Sequence, residues 1–499
     1  MALKVGAVLG GVGGRRVFDR EGCVSLVREL RQSFISGRTK SYEWRAHQLK
    51  MVIKFLQEKE PAILEALHQD LCKPSFETYI AEISLLKSSC EFLLKHLKKW
   101  MKPEKASVSF VAQPARAEIV PEPLGIILVI SAWNYPLLLS LNPVVGAIAA
   151  GNAVVLKPSE ISPATSSLLA SLVLEYLDTS AIKVVEGAVD ETTALLEQKW
   201  DKIFYTGSGK VGRIVMTAAA KHLTPVTLEL GGKCPVVVDS NTDLKITTKR
   251  IAGGKWGSNN GQACIAPDYV ITTRSFAPKL VESFKRTLAS FYGNDPLESN
   301  DLSRIVGLNH FTRLLKLLDE EKASSKIVHG GERDEKRLRI APTILLDVPA
   351  DSLVMNEEIF GPLLPIVTVE KIEDSFDVIN SQPKPLAAYL FTKDKRIEKM
   401  FVEQISAGAI VVNDTVLHLA NPSLPFGGVG DSGIGAYNGK YSFEAFSHMK
   451  PVLYRGFVGE LSARYPPYSS QKLKLLRSLL TGDIVGLILS LIGWHSKTE

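Results

Sequence analysis

Cysteine is scarce in this chain and badly spaced for bridging. There are five, Cys23, Cys72, Cys90, Cys234 and Cys264; the number is odd, the gaps are wide and no C-x-x-C pair occurs. A disulfide framework and a zinc site are thereby disfavoured, no metal is expected, and a reducing compartment fits better. Basic runs are lacking outside the C-terminal tail. The formal net charge is only +6 over 499 residues, without the patch that nucleic-acid binding concentrates. Repeats and low-complexity tracts are missing too. The 45% hydrophobic and 22% charged residues exclude both disorder and a membrane-spanning bundle. The first 18 residues hold no acid, but serine is absent before Ser25 and the apolar run is short. Residues 1–21 therefore read as a disordered leader in preference to a targeting segment.

What is present is enough chain for roughly two to four domains. Residues 41–71 and 77–101 carry apolar residues at helical spacing. Pro103 ends that pair, and "ARAEIVPEP" (115–123) reads as extended. From "GIILVIS" (125–131) the grammar changes, and short β-rich runs alternate with helical stretches. "NAVVLKP" (152–158) precedes a helix at 162–177, "IKVVEG" (182–187) one near 190–198, and "KIFYTG" (202–207) one at 210–222. "PVTLEL" (225–230) and "PVVVDS" (235–240) follow, then "YVITTRS" (269–275), "LPIVTVE" (364–370), "AAYLFT" (387–392) and "AIVVND" (409–414). Strands poor in polar residues and separated by helices predict parallel sheets covered on both faces. The fold class is α/β, with two domains meeting near residues 229–234.

"TGSGKVG" (206–212) follows a strand and opens a helix, so Gly207, Gly209 and Gly212 satisfy G-x-G-x-x-G in the setting that admits a pyrophosphate. That fingerprint expects a ribose-binding acid about 20 residues on, and Glu229 stands 17 residues after Gly212. Lys157 and Glu160 offer another ribose site just past a strand, a donor and an acceptor suited to a diol. An unpaired glutamate there would repel a 2′-phosphate and favour NAD over NADP. A solvated turn accounts for the same pattern equally well.

Cys264 lies in "NNGQACIAP" (259–267), among glycine, amides and small residues. A nucleophilic thiolate there needs a donor for the oxyanion it creates. Asn134 in "SAWNYP" (131–136) supplies an amide just after a strand. A thioester on the cysteine would then need a carboxylate to activate water, and Glu229 stands before the glycines of "LGG" (230–232).

"LELGGK" (228–233), "NNGQACIAP", "NEEIFGPLLPI" (356–366) and "LPFGGVGDSGIG" (424–435) resemble the aldehyde dehydrogenase superfamily. "SAWNYP", "SFEAFSH" (442–448) and "RYPPYSSQKLKLL" (464–476) resemble its class 3 branch. "EWRAHQLK" (43–50) and "EQKWDKIFYTGS" (197–208) look most like plant members. The likeness spans residues 22–476, with the motifs in family order. It implies Cys264 as nucleophile, Glu229 as general base, and Asn134 with the Cys264 N–H as oxyanion hole. Lys157 and Glu160 would hold the adenosine ribose, and Gly207, Ser208 and Gly212 the pyrophosphate. Glu358 and Phe360 would position the nicotinamide half, with Trp133, Leu230 and Gly231 also at the cofactor. NAD is expected, with NADP less favoured. Cys234, where relatives often carry serine, reads as a small buried side chain.

The resemblance also implies a layout. A Rossmann-type NAD-binding domain covers 22–106 and 125–230, an α/β catalytic domain 231–439, and a small β oligomerisation (bridging) element 107–124 and 440–463, through which a homodimer would pair. Residues 464–499 form a tail ending in the apolar "IVGLILSLIGW" (484–494). As a helix that run reaches about 17 Å, too short to span. It would lie on a membrane surface, helped by Lys472, Lys474 and Arg477, or pack across the substrate mouth. The activity implied is oxidation of medium- or long-chain, lipid-peroxidation-derived or aromatic aldehydes to acids in detoxification. The location is cytoplasmic, or peripheral on an endomembrane, or a plastid if the leader is a targeting segment. An acylating enzyme that releases its thioester to coenzyme A is disfavoured by Glu229. A non-enzymatic binding protein is disfavoured because Asn134, Glu229 and Cys264 are all present.

Overall fold

The computed structural model describes residues 19–109, 112–458 and 460–492. Most of the expected leader lies outside them, as do the last residues of the tail's apolar run. Two compact units are present, one within residues 19–97 and 123–446, the other within 98–122 and 447–492.

The first unit opens with the helices Arg20–Ile35, Tyr42–Glu58 and Glu60–Leu71. The single helix expected over 41–71 is broken at Lys59, because Pro61 has no N–H to continue the ladder and instead starts the next helix. After Leu71, Cys72 turns left-handed, and a helical turn Ser75–Thr78 runs through a π turn, Tyr79–Ser84, into Leu85–Trp100. The second long helix therefore starts close to its expected place but is wound wider in its first turns.

Two sheets follow. The six-stranded sheet runs in the order Gly433–Ile434, Val226–Glu229, Lys202–Thr206, Ile126–Ile130, Ala153–Lys157, Ile182–Val184. All its pairs are parallel except the edge strand Gly433–Ile434, which is antiparallel. Ile126–Ile130, Ala153–Lys157 and Lys202–Thr206 are buried along their whole length, which is why they read as continuous apolar runs. Helices Leu138–Ala150, Pro163–Tyr176, Val189–Leu196 and Gly209–Ala220 connect them. The seven-stranded sheet runs Ile327–His329, Thr343–Leu346, Leu363–Val369, Tyr269–Thr273, Pro235–Val238, Ala387–Phe391, Ala409–Val412, antiparallel only at Ile327–His329. Its core includes Phe311, Leu314, Leu363, Leu390 and Phe401. The chain crosses from one sheet to the other between Glu229 and Pro235. Register pairs Ile130 with Lys157 and Thr206 with Glu229. The expected site residues of the first sheet thus gather at its carboxyl edge, where open α/β sheets present functional groups.

The second unit holds a three-stranded sheet of Glu104–Ala106, Ala115–Pro123 and Ser447–Arg455. The extended segment at 115–123 thus pairs with the region after 446 within one chain. Helix Gly439–Ala445 takes in residues 440–445, which were expected as part of that element. The tail is a helix pair, Ser470–Thr481 and Ile484–Ile492, turned at Gly482 with φ +69°. Among the described residues no helix is long and apolar enough to cross a membrane.

Candidate active site

The loop carrying Cys264 follows helix Leu244–Lys255 and is tied down at each step. Trp256 donates its indole N–H to the Pro362 carbonyl at 2.7 Å. Asn259 and Asn260 both sit at φ +50°, a left-handed conformation that asparagine tolerates better than most residues. Gly261 is also left-handed, and a Cβ there would run into the Gly361 carbonyl oxygen. The amides that looked like a polar loop are internal fasteners. Asn260 Nδ2 donates to Ser303 O at 3.2 Å, Gln262 Nε2 to Arg304 O at 2.9 Å, and Gln262 Oε1 accepts from Val306 N at 3.0 Å. Cys264 is half-buried. Burial, then the charges of the Glu358 and Glu229 carboxyls, push its thiol up to about 12; the N–H groups of Cys264 and Ile265 act in the opposite direction. Cys234, buried, donates its thiol to the Cys264 carbonyl at 3.3 Å.

Asn134 sits in the turn after strand Ile126–Ile130 and is laced into the same loop. Its Nδ2 donates to Gln262 O at 3.0 Å, and its main-chain oxygen accepts from Asn259 Nδ2 at 2.9 Å and from Lys73 Nζ at 3.1 Å. One N–H of the Asn134 amide is thereby used and the other is left over. Glu229 ends its strand, and its carbonyl accepts from Gly207 N at 3.0 Å. Only 3% of the residue is exposed, and neither carboxyl oxygen has a protein partner. Burial alone holds this carboxyl well above its ordinary range. An unpaired carboxylate inside a protein is costly unless it takes a proton or meets a polar ligand, so this group is suited to proton transfer.

The dinucleotide loop has the shape its glycines require. Gly207 has φ +158°, and a Cβ there would strike the Tyr205 hydroxyl. Ser208 caps helix Gly209–Ala220 by accepting from Val211 N at 3.4 Å. A Cβ on Gly212 would lie 2.9 Å from Leu230 Cδ2, so glycine lets the helix start close against the strand end. This fits an anion at the helix N-terminus. Lys157 and Glu160 do meet, at 2.7 Å. Glu160 is therefore not the unpaired glutamate expected, and Lys157 offsets part of the repulsion it would exert on a 2′-phosphate.

Glu358 lies against Gly231, where a Cβ would collide with its carboxyl oxygens. Burial and then Asp268 push that carboxyl to about 8, while the Gly232 N–H, Lys233 and Arg313 draw it down. Phe360, at φ +49°, meets Trp133 edge-on at 5.4 Å, and His310 covers another side of the indole at 4.8 Å. The segment is held by groups that sequence reasoning passed over. Buried Lys233 pairs with Asp268 and donates to Val354 O and Glu357 O, both at 2.9 Å. Asp268 accepts from Ile359 N at 3.0 Å. Arg313 donates to Glu357 Oε1 at 3.0 Å, Glu358 O at 3.3 Å and Ile359 O at 2.5 Å. Lys233 was visible in "LELGGK", whereas Asp268, His310 and Arg313 carry no motif of their own. Among the described residues no cluster could hold a metal ion.

The chain matches the family model described as "Aldehyde dehydrogenase family" over residues 19–452. It is similar to aldehyde dehydrogenase family 3 member H1 of Arabidopsis thaliana, 62% identical over 479 residues, covering 96% of this chain and 99% of that protein. Aldehyde dehydrogenase family 3 member I1, chloroplastic, of the same plant is 60% identical over 481 residues, covering 96% of this chain and 88% of that one. Among solved structures, the substrate-bound state of Staphylococcus aureus AldH is 40% identical with a TM-score of 0.89, covering 92% of this chain and 99% of that one.

Proposed function

Since the chain belongs to the aldehyde dehydrogenase family, in its family 3 branch, and is an NAD(P)-dependent oxidoreductase converting aldehydes to acids, we propose that Cys264 is its nucleophile, Glu229 its general base and Asn134 its oxyanion donor. The observation that carries this assignment is the buried Glu229 carboxyl, unpaired at both oxygens, in a unit where the Asn134 amide is tied to the loop that carries Cys264.

Cys264 sulfur attacks the aldehyde carbon, and the carbonyl oxygen becomes an oxyanion. The free N–H of the Asn134 amide and the N–H of Cys264 are the donors within reach of that charge. The thiol gives up its proton as the carbon–sulfur bond forms; Glu229, a carboxyl made more basic by burial, accepts it and releases it to solvent before the hydrolysis step. NAD(P), when bound, supplies the hydride acceptor. Loss of the carbon-bound hydrogen leaves a thioester on Cys264, and Glu229 then takes a proton from the water that hydrolyses it. Covalent capture makes the oxidation intramolecular. Gly207, Ser208 and Gly212 would hold the pyrophosphate, Lys157 and Glu160 the adenosine ribose, and Glu358 and Phe360 the nicotinamide half, with Trp133, Leu230 and Gly231 also at the cofactor.

The finer points are proposals of the same kind. NAD is favoured over NADP because the half-exposed Glu160 carboxylate would face a 2′-phosphate, a preference weakened by its pairing with Lys157. The substrates proposed are medium- and long-chain, lipid-derived or aromatic aldehydes, and the apolar tail favours the lipid-derived ones. A homodimer and peripheral membrane contact through the tail complete the proposal. The location proposed is cytoplasmic; a plastid follows instead if residues 1–21 act as a targeting segment, and the relative 60% identical to this chain is named chloroplastic.

The test is NADH formation from hexanal, with and without coenzyme A, in the wild type and in Glu229→Gln. Steady turnover without coenzyme A is expected from the wild type. The variant should give one burst of NADH per site and then stall, with NAD affinity unchanged. Turnover that depends on coenzyme A would favour the acylating enzyme. A collapse of NAD affinity in Glu229→Gln would return Glu229 to the ribose.

A further inference from the structure

The connection between the helices ending at Leu71 and starting at Leu85 supplies none of the reacting groups named above. It nonetheless sends three ionisable side chains behind the nucleophile loop. Lys73 and Glu82 form an ion pair of 2.6 Å in which both side chains are 0% exposed. Its bonding is complete. Glu82 Oε2 accepts from Leu137 N at 2.8 Å and Leu138 N at 3.2 Å, where helix Leu138–Ala150 begins. Lys73 Nζ donates to Glu82 and to the Asn134 main-chain oxygen at 3.1 Å, and lies over the Tyr135 ring at 4.0 Å from its centroid. The Asn134 oxygen also accepts Asn259 Nδ2, and the Asn259 N–H donates to Glu77 Oε1 at 2.7 Å.

A buried ion pair is weak evidence for added stability over apolar residues of the same volume; in some proteins its effect is instead to fix one geometry. Here the geometry fixed is that of residue 134. Its side-chain amide has one N–H engaged by Gln262 O. The direction of the remaining N–H follows from where the backbone of Asn134 is held, and Lys73 and Asn259 are the two groups holding its carbonyl.

We propose that Lys73, paired with Glu82, is a positioning residue for the reaction: it fixes the main chain of Asn134 so that the amide meets the oxyanion of the Cys264 adduct. This rests on the assignment of Asn134 to the oxyanion.

A double-mutant cycle on the holoenzyme tests it, read as the rate of first-turnover NADH formation from hexanal. Asn134→Ala should lower the rate by about 10²–10³-fold, and Lys73→Met by on the order of 10²-fold, with half-saturating hexanal and NAD affinity unchanged. If Lys73 acts through Asn134, the double variant should lie within about twofold of Asn134→Ala. Losses that multiply would overturn the positioning role while leaving the oxyanion assignment intact. A wild-type rate in Asn134→Ala would overturn both. Because Lys73→Met leaves Glu82 unpaired, Lys73→Met/Glu82→Gln is measured beside it, keeping an acceptor for the Leu137 and Leu138 N–H groups. That variant, folded as judged by its melting temperature, should show the same loss; a wild-type rate in it would sink the proposal.

Discussion

A single carboxyl, Glu229, illustrates what a residue can and cannot disclose from sequence. Spacing alone placed it at a ribose; the company of Asn134 and Cys264 moved it to the water. Its burial without a partner has a consequence for stability. Between the ordinary carboxyl value of 4.5 and its raised folded value, the native state keeps a proton that the unfolded chain has lost. Stability therefore falls as pH rises through that window. Glu229→Gln carries no such proton. Its melting temperature should match wild type below about pH 4.5 and exceed it increasingly as pH rises, measured by calorimetry on the cofactor-free protein. A difference that stays constant with pH would mean the carboxylate has a partner. Lys73 and Glu82 are the contrasting case. Glu82 stands in a stretch that reads as an ordinary amphipathic helix and Lys73 just ahead of it, and the Asn134 oxygen that Lys73 holds lies 61 residues away, so no local pattern exposes a fully buried pair.

At the scale of elements, strands were the most legible, because a strand covered on both faces must be an unbroken apolar run. Breaks within helices were less so. Pro61 could have been read as a start, but the π turn at Tyr79–Ser84 serves packing that only the folded chain creates. The segment Glu357–Phe360 belongs to the same class. Its motif was visible, while the ion pair that fastens it was not, since Asp268 looks like any acid after a proline. Lys233 and Asp268 bridge the crossing between the sheets to three main-chain groups of residues 354–359. Releasing that bridge should free Glu358 and Phe360 without disturbing Cys264. Asp268→Asn is expected to raise the KM for NAD about tenfold, the size of one charge-assisted bond, with the KM for hexanal and the first-turnover rate at saturating NAD nearly unchanged. Equal losses in both KM values would show that the bridge supports the whole site.

At the scale of the molecule, only the family resemblance grouped residues 107–124 with 440–463; Glu104–Ala106, Ala115–Pro123 and Ser447–Arg455 form one small sheet, and strand pairing across more than 300 residues leaves no local mark. The tail was more legible. In helix Ile484–Ile492, Ile484, Val485, Ile488 and Leu489 are 66%, 67%, 49% and 42% exposed, a spacing that puts them on one face. The helix preceding it carries Lys472, Lys474 and Arg477. The nine described residues reach about 14 Å as a helix, against a hydrocarbon core near 30 Å, so this helix has the length to lie on a bilayer but not to cross it. A short apolar face binds weakly alone, and each cation adds about 1 kcal/mol only near anionic lipid. Binding should therefore need both. In sedimentation, the full chain is expected to pellet with phosphatidylserine vesicles at low salt, to pellet poorly with phosphatidylcholine, and to be released near about 0.5 M salt, where screening removes the electrostatic share. A chain lacking residues 481–499 should stay in the supernatant throughout while keeping its activity on hexanal. Equal pelleting of the two chains would exclude the tail as the anchor and leave its exposed face to the substrate mouth.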